Sequence, residues 1–416
     1  EILQMRLYAK WGDLLVFKNC FRDNTIELSD YLNSKFFTTD KVKNILIFAI
    51  RNCLTFKVSE IELARSDCEE FYTWYDTLSV CYDLREKAGI LCRIIYEKYK
   101  KEIRDVYNEL ENELLNLTQK ELALLKSGQY LTFEETNLKC ALLSMFDNIS
   151  VMYFNKKRDY NKWLNQILMC QLDINVINAK GSEIFSKFII IRLISKIIDF
   201  KEIESSKNEI FLKIYNLFIA NNINSFHILL NFASVNFFAA FIDDIMPVEF
   251  PNNFLQNYIY KICEMLKCTS SPDIHSRMIT VTSNILTKFK DEDINHAFPM
   301  IFPILTYLWE NNWNEYVMNV EGQKEKNLNP TSLHEKYSTI NQKNKLCVEI
   351  ATVRQNLIKL ISIFVKRVGF FITFNTISNV VEIKETSVVN EQYFKFIYNI
   401  IGFSISVQYQ DASFLL

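Results

Sequence analysis

The sequence has 416 residues, of which 47 are basic and 49 acidic, for a formal net charge of −2; 49% of it is hydrophobic and 14% aromatic. This balance gives no broad attraction to a phosphate backbone or an anionic bilayer. Seven glycines and six prolines make up about 3% of the chain where about 12% is usual, and the closest glycines, Gly369 and Gly402, stand 33 residues apart, which excludes a dinucleotide fingerprint, a P-loop and a G-x-S-x-G elbow.

Taken in chain order, apolar residues recur at helical spacing from the start, as in Ile2, Leu3, Met5, Leu7, Trp11, Leu14, Leu15 and Phe17, then Val42, Ile45, Leu46, Phe48 and Ala49. All six prolines lie after residue 246, so nothing before it forbids a continuing helix. The pattern predicts further helices at 84 to 98, 102 to 125, 133 to 153, 160 to 171, 183 to 200, 206 to 219, 224 to 242, 252 to 267, 274 to 289, 294 to 310, 345 to 369 and 390 to 404. Asp40, Asp83, Thr132, Asp159, Ser182, Ser205 and Asn252 stand where a side chain can accept from the orphan N–H groups of a helix start.

Helices that follow through short polar joints, about 40 to 47 residues per pair, have the period of HEAT or armadillo units. One pair cannot bury its apolar face, whereas stacked pairs share a continuous core. The expected fold is therefore all-α: a single HEAT-repeat α-solenoid over 1–416, with about nine to ten helix pairs. Two stretches break the rhythm. Residues 66–82 combine acids with aromatics and are expected to form an ordered or binding loop, and residues 314–344, polar and carrying Gly322 and Pro330, are expected to form a flexible insertion.

Ten cysteines lie mostly in apolar helical stretches without a C-x-x-C, which fits buried reduced thiols in a cytosolic or nuclear protein. His227, His275, His296 and His334 are too far apart for a helical zinc pair and are expected at surfaces or helix ends. No metal, cofactor or catalytic constellation is expected, and an enzyme is the disfavoured class. With no apolar run of 18 residues and no initiator Met, the chain is expected to be a soluble, monomeric piece of something longer.

The segment LTFKVSEIELARSDCEEFYTWY, Leu54 to Tyr75, resembles a stretch in the middle of karyopherin-β nuclear transport receptors. Leu54, Thr55, Glu60, Glu62, Leu63, Asp67, Glu69, Glu70 and Phe71 carry the match, with Cys68 in place of the usual Pro. The following YDLREKAGILCRIIYEKY is similar to that family's "Leu-Arg-x-x-Ala" helix. Further on, Phe146, Asp147, Trp163 and Leu164, and then the stretch AFPMIFPILTYLWENN, resemble the importin-eleven class in the same order along the chain.

The resemblance implies a central or carboxy-terminal fragment of an import receptor that shuttles between cytoplasm and nucleus. Such a receptor binds protein cargo, the Phe-Gly repeats of nucleoporins and the GTP form of the GTPase Ran, the last mainly through repeats that precede this segment. The alternative is a HEAT scaffold or regulatory subunit unrelated to transport. Neither direct nucleic-acid binding nor membrane insertion is expected.

The candidate partner-binding residues are Asp67, Glu69, Glu70, Phe71, Tyr72, Trp74 and Tyr75, since aromatic anchors beside an acidic rim suit a peptide or a basic cargo. The bland alternative is a loop folded on its own repeat. The basic joints at Asn155, Lys156, Lys157 and Arg158, and at Lys98, Lys100, Lys101 and Arg104, are expected to be solvated turns, Glu134 and Glu135 a first helical turn, and Phe232, Phe237, Phe238 and Phe241 core. Asp243 and Asp244 would serve acid–base chemistry only in a water-poor cleft.

Overall fold

The computed structural model describes residues 38–76, 84–154, 163–173, 182–198, 205–221, 228–244, 250–251, 253–325, 350–364, 366–367, 371–375 and 380–384. The predicted helix around Ile2 to Phe17, the one at 390 to 404 and the basic joint from Asn155 to Arg158 lie outside them. Among the described residues fourteen helices follow in order: α1 (Thr39–Phe48, running into a π-helical turn Ala49–Cys53), α2 (Val58–Ser66), α3 (Cys68–Asp76), α4 (Leu84–Tyr99), α5 (Arg104–Lys126), α6 (Phe133–Phe154), and α7, a π-helical Leu164–Met169 continuing as Cys170–Leu172. Then come α8 (Ser182–Ile197), α9 (Lys207–Ala220), α10 (Ile228–Asp244), α11 (Phe254–Cys268), α12 (Pro272–Thr287), α13 (Asp291–Glu325) and α14 (350–364). An antiparallel hairpin, β1 (Phe371–Asn375) with β2 (Val380–Lys384), follows the last helix, Phe371 opposite Lys384.

The helices stack in two layers. In the first, α4, α6, α8, α10 and α12 lie side by side, and α14 joins α12 through Asn356, whose Nδ2 donates to the Ser276 hydroxyl at 2.7 Å. In the second, α5, α7, α9, α11 and α13 follow one another, with α1 tied to α5 by Lys43–Asp105 (2.6 Å) and Arg51–Glu113 (3.0 Å). Pairs begin at residues 84, 133, 182, 228 and 272, a period of roughly 44 to 49 residues. This is a HEAT-repeat helical solenoid. No helix among the described residues is long and apolar enough to cross a membrane.

Local chemistry places the starts and stops. Thr132 and Glu135 form a reciprocal capping box at α6, the Glu135 amide donating to Thr132 Oγ1 and the Thr132 amide to Glu135 Oε2, both at 3.2 Å. Gly128, at φ 71°, ends α5 in the left-handed conformation that glycine adopts without penalty, and the Gln129 amide reaches back to Leu124 O. Gly89 serves another purpose: a Cβ there would lie 2.6 Å from the Asn148 side chain, so α4 and α6 can approach closely.

The core explains why the middle helices are apolar on every side. In α8, Phe185, Phe188, Ile189, Ile190, Ile191, Leu193 and Ile194 are all fully buried, each contributing about 1.5 to 3 kcal/mol. α6 and α10 flank the helix in its own layer, the second layer lies beneath it, and α3 covers the remaining side. Phe232, Phe237, Phe238 and Phe241 of α10 are likewise core.

A buried polar knot joins α5, α6 and α7. Lys139, fully buried, pairs with Glu121 and donates to Gln171 Oε1 at 2.6 Å, while Gln171 Nε2 donates to Glu121 Oε2 at 2.7 Å. Nearby Lys187 reaches the Leu172 carbonyl at 3.2 Å, and burial pushes its pKa down to about 8. Each member of the knot answers the others, so removing one leaves a charge stranded in apolar surroundings. Lys139→Met is expected to cost about 3 to 5 kcal/mol and to lower the thermal midpoint followed by circular dichroism, whereas Lys139→Met combined with Glu121→Met and Gln171→Leu recovers most of the loss. A harmless single substitution would contradict the knot.

Two expectations are corrected. Residues 66–82 are not a loop where they are described: Cys68–Asp76 is helical, because the Asp67 carboxylate accepts from the Glu70 amide at 2.8 Å and so caps a helix start. The insertion expected at 314–344 does not begin there, since α13 runs on to Glu325 through Gly322, and 326–344 lies outside the described residues. α13 also absorbs Pro299 and Pro303.

Candidate partner-binding surface

The segment between α1 and α4 is held by one arginine. Arg85, in the first turn of α4, donates to the Leu54 carbonyl, to the Thr55 carbonyl at 2.9 Å and to Glu60 Oε2 at 2.5 Å, and its guanidinium lies 4.0 Å over the Phe56 ring. Asn137 of α6 grips the same turn from the other side, accepting from the Phe56 amide at 2.6 Å and donating to its carbonyl at 2.8 Å. Both main-chain polar groups of Phe56 are thereby satisfied, and α2 is fixed on the first layer. The Lys57 amide then bonds Glu60 at 2.6 Å, so the carboxylate that starts α2 also meets Arg85.

From this anchor α3 is laid across the first layer. Phe71, fully buried, meets Phe185 of α8 at 5.3 Å between ring centroids, and Tyr75 meets Phe188 at 5.3 Å with Arg192 4.8 Å above its ring. Tyr72 packs on Phe232 of α10 at 4.7 Å, and its hydroxyl accepts from Asn236 Nδ2 at 2.6 Å. Glu69 reaches α12, where its carboxylate accepts from the Ser270 amide at 2.8 Å and the Ser271 amide at 2.6 Å. A carboxylate at a helix N-terminus meets both orphan donors and the positive end of the dipole.

The predicted partner-binding residues thus divide. Phe71, Tyr72, Tyr75 and Glu69 converge on α8, α10 and α12 of the same chain, repeats that begin more than 100 residues further on. Asp67 caps α3 and Glu70 stays exposed; the Trp74 side chain lies outside the described residues.

The other expectations also have places. Glu134 and Glu135 open α6. Lys98, Lys101 and Arg104 are exposed at the α4–α5 turn, with Lys100 5.5 Å from the Tyr96 ring. His296 is exposed and His275 is buried in the first turn of α12, while His227, His334 and the side chains of Asp243 and Asp244 fall outside the described residues. Among the described cysteines, Cys92, Cys140 and Cys263 are buried, and burial pushes their thiols up to about 12, 11 and 12. Cys53, Cys68 and Cys170 are half-buried and Cys268 is exposed. Among the described residues no His, Cys, Asp and Glu cluster could hold a metal ion.

Sequence reasoning missed a second surface. On the second layer Leu212 and Ile219 of α9, Tyr260 of α11, and Met300 and Tyr307 of α13 are exposed at 36% or more. Leu212 and Ile219, like Met300 and Tyr307, stand two helical turns apart, so each pair shares a face. α11 and α13 touch, the Cys263 thiol reaching the Met300 carbonyl at 3.6 Å. Near the start of α11 a cleft of about 330 Å³ opens beside Phe250, Phe254 and Phe289, rimmed by Lys288 and Lys290. The signal was in the sequence as apolar residues on the polar side of the helical period.

Among solved structures the chain is similar to Lph2, a bidirectional nuclear transport receptor of S. cerevisiae, with a TM-score of 0.58 and 13% identity over 92% of this chain. At that identity the likeness shows the fold: a helical solenoid shared along the chain. The chain spans 37% of the length of that receptor. No family model matches the sequence, and no curated protein is significantly similar to it.

The Arg85 anchor has a measurable consequence. Arg85→Ala strands Glu60 and two carbonyls, a loss of about 3 kcal/mol, so amides from 54 to 71 are expected to exchange with deuterium about a hundredfold faster. Arg85→Lys should not restore protection, because an ammonium lacks the planar fork. Unchanged exchange in Arg85→Ala would show that α2 and α3 are seated without it.

Proposed function

We propose that this chain is a central or carboxy-terminal part of a nuclear transport receptor of the karyopherin-β superfamily, in the importin-eleven-like branch. It carries protein cargo through the pore, touches Phe-Gly nucleoporins, and responds to Ran through repeats outside this segment. The observation that carries the proposal is the continuous two-layer stack of α4 to α14, similar over 92% of the chain to a bidirectional nuclear transport receptor. The order of the resemblances at Leu54 to Tyr75, Phe146 to Leu164 and Ala297 to Asn312 supports the finer assignment to a branch.

The exposed apolar side chains of the second layer support a binding role. The exposed Leu212, Ile219, Tyr260, Met300 and Tyr307 offer isolated apolar footholds along the second layer. Small, separated footholds suit weak and rapidly exchanging contacts with single Phe side chains of Phe-Gly repeats better than one tight interface. Shuttling between cytoplasm and nucleus follows from the same proposal.

The direct test uses the full-length parent protein and immobilised Phe-Gly repeats. Retention is expected, with about a ten- to hundredfold weakening in the combined variant Leu212→Glu, Tyr260→Glu and Tyr307→Glu, since each exposed foothold contributes on the order of 0.5 to 1 kcal/mol. The parent should also bind GTP-loaded Ran and concentrate at the nuclear rim. Failure of Phe-Gly and Ran binding together would reject transport and leave a HEAT scaffold of another kind.

A further inference from the structure

In a solenoid each repeat touches its neighbours alone, so bending is distributed over many similar joints. α3 breaks that rule. It leaves the chain between α1 and α4 and bonds to three later helices of the first layer: α8 through Phe71 and Tyr75, α10 through Tyr72, and α12 through Glu69. The sequence separation between Glu69 and its amide partners is 201 and 202 residues.

Its contacts are of two kinds, and they are arranged along the helix. Phe71 and Tyr72 are buried to 0% and 3% exposure on α8 and α10, a packed apolar seat. At the other contact Glu69 makes charge-assisted bonds to the Ser270 and Ser271 amides, with Ser270 Oγ 3.4 Å away, and Arg277 of α12 lies 5.9 Å over the Tyr72 ring. The seat is matched chemically: an acid meets a helix N-terminus, and aromatic rings meet Phe185, Phe188 and Phe232 with Arg192 and Arg277 above them.

We propose that α3 is a built-in clasp: a resident helical ligand that locks the repeats of α8, α10 and α12 into one mechanical unit and occupies their common face. Bending of the solenoid is then confined to joints outside that unit. A partner that uses the first-layer face of α8, α10 and α12 reaches it by displacing α3, and the chemistry that does so is a helix carrying an acid two residues before the first of two or three aromatic residues. The proposal rests on packing alone and stands whether or not the chain is a transport receptor.

The test is hydrogen exchange resolved by residue on the intact protein, with circular dichroism confirming that helix content is kept. Glu69→Ala removes the carboxylate bonded to the Ser270 and Ser271 amides, and Tyr72→Phe removes the hydroxyl bonded to Asn236 while keeping the ring. If α3 clasps the three repeats cooperatively, each variant loosens both ends: the Ser270 and Ser271 amides and the α3 amides of Phe71 to Tyr75 should exchange at least about tenfold faster in either one. Should Glu69→Ala perturb residues 270 and 271 alone while Tyr72→Phe leaves them unchanged, the contacts are independent and the clasp is wrong. Glu69→Gln, which keeps the shape of the side chain, serves the same comparison where the alanine variant does not fold.

Discussion

The structure depends on the burial of apolar helices that have no polar side of their own. α8 is the extreme case, with Phe185, Phe188, Ile189, Ile190, Ile191, Leu193 and Ile194 all inaccessible to water. Such a helix is stable only when surrounded. Lateral neighbours α6 and α10, the second layer and the crossing α3 supply the four sides, and each of those neighbours is in turn completed by the next. The stack therefore propagates along the chain, which is why so few glycines and prolines suffice.

At two places polar groups that enter this core are answered by several partners at once. Lys139, Glu121 and Gln171 satisfy one another between α5, α6 and α7, and Arg85 satisfies two carbonyls and a carboxylate at once. Such contacts add little net stability over an apolar replacement; they tie α5 to α6 and α7, and α4 to the turn before α2. In a solenoid built from similar apolar helices, such fixed points oppose a slip of one helix past the next by a turn.

Much of the fold is legible in the sequence because its dominant signal is periodic. Helices α4, α5, α6, α12 and the first part of α13 lie close to where apolar spacing predicts them, and Thr132 with Glu135 marks the start of α6. α3 was obscured by its acids, Glu69 and Glu70 beside aromatics suggesting an ordered or binding loop. Yet Asp67 followed by Glu70 is a helix-start pattern, and Phe71, Tyr72 and Tyr75 fall on one helical face. What no local pattern contains is the destination of that face, since the residues it meets lie 110 to 200 positions away. The apolar character of α8 and α10 on all sides was the remaining hint, because two layers cover only three sides of a helix. The end of α13 was misjudged for a different reason: residues 311 to 321 are polar, but they contain no Gly or Pro to stop a helix before Gly322.

Side-by-side stacking of helices within each layer underlies everything else, and zero-length carbodiimide cross-linking read by mass spectrometry tests it most directly. Joined Lys43 and Asp105, Lys196 and Asp147, and Lys213 and Asp173 are expected, because these pairs span α1 to α5, α8 to α6, and α9 to the end of α7 at 2.8 Å or less. Efficient links between unrelated helices, with these three pairs absent, would contradict the stack.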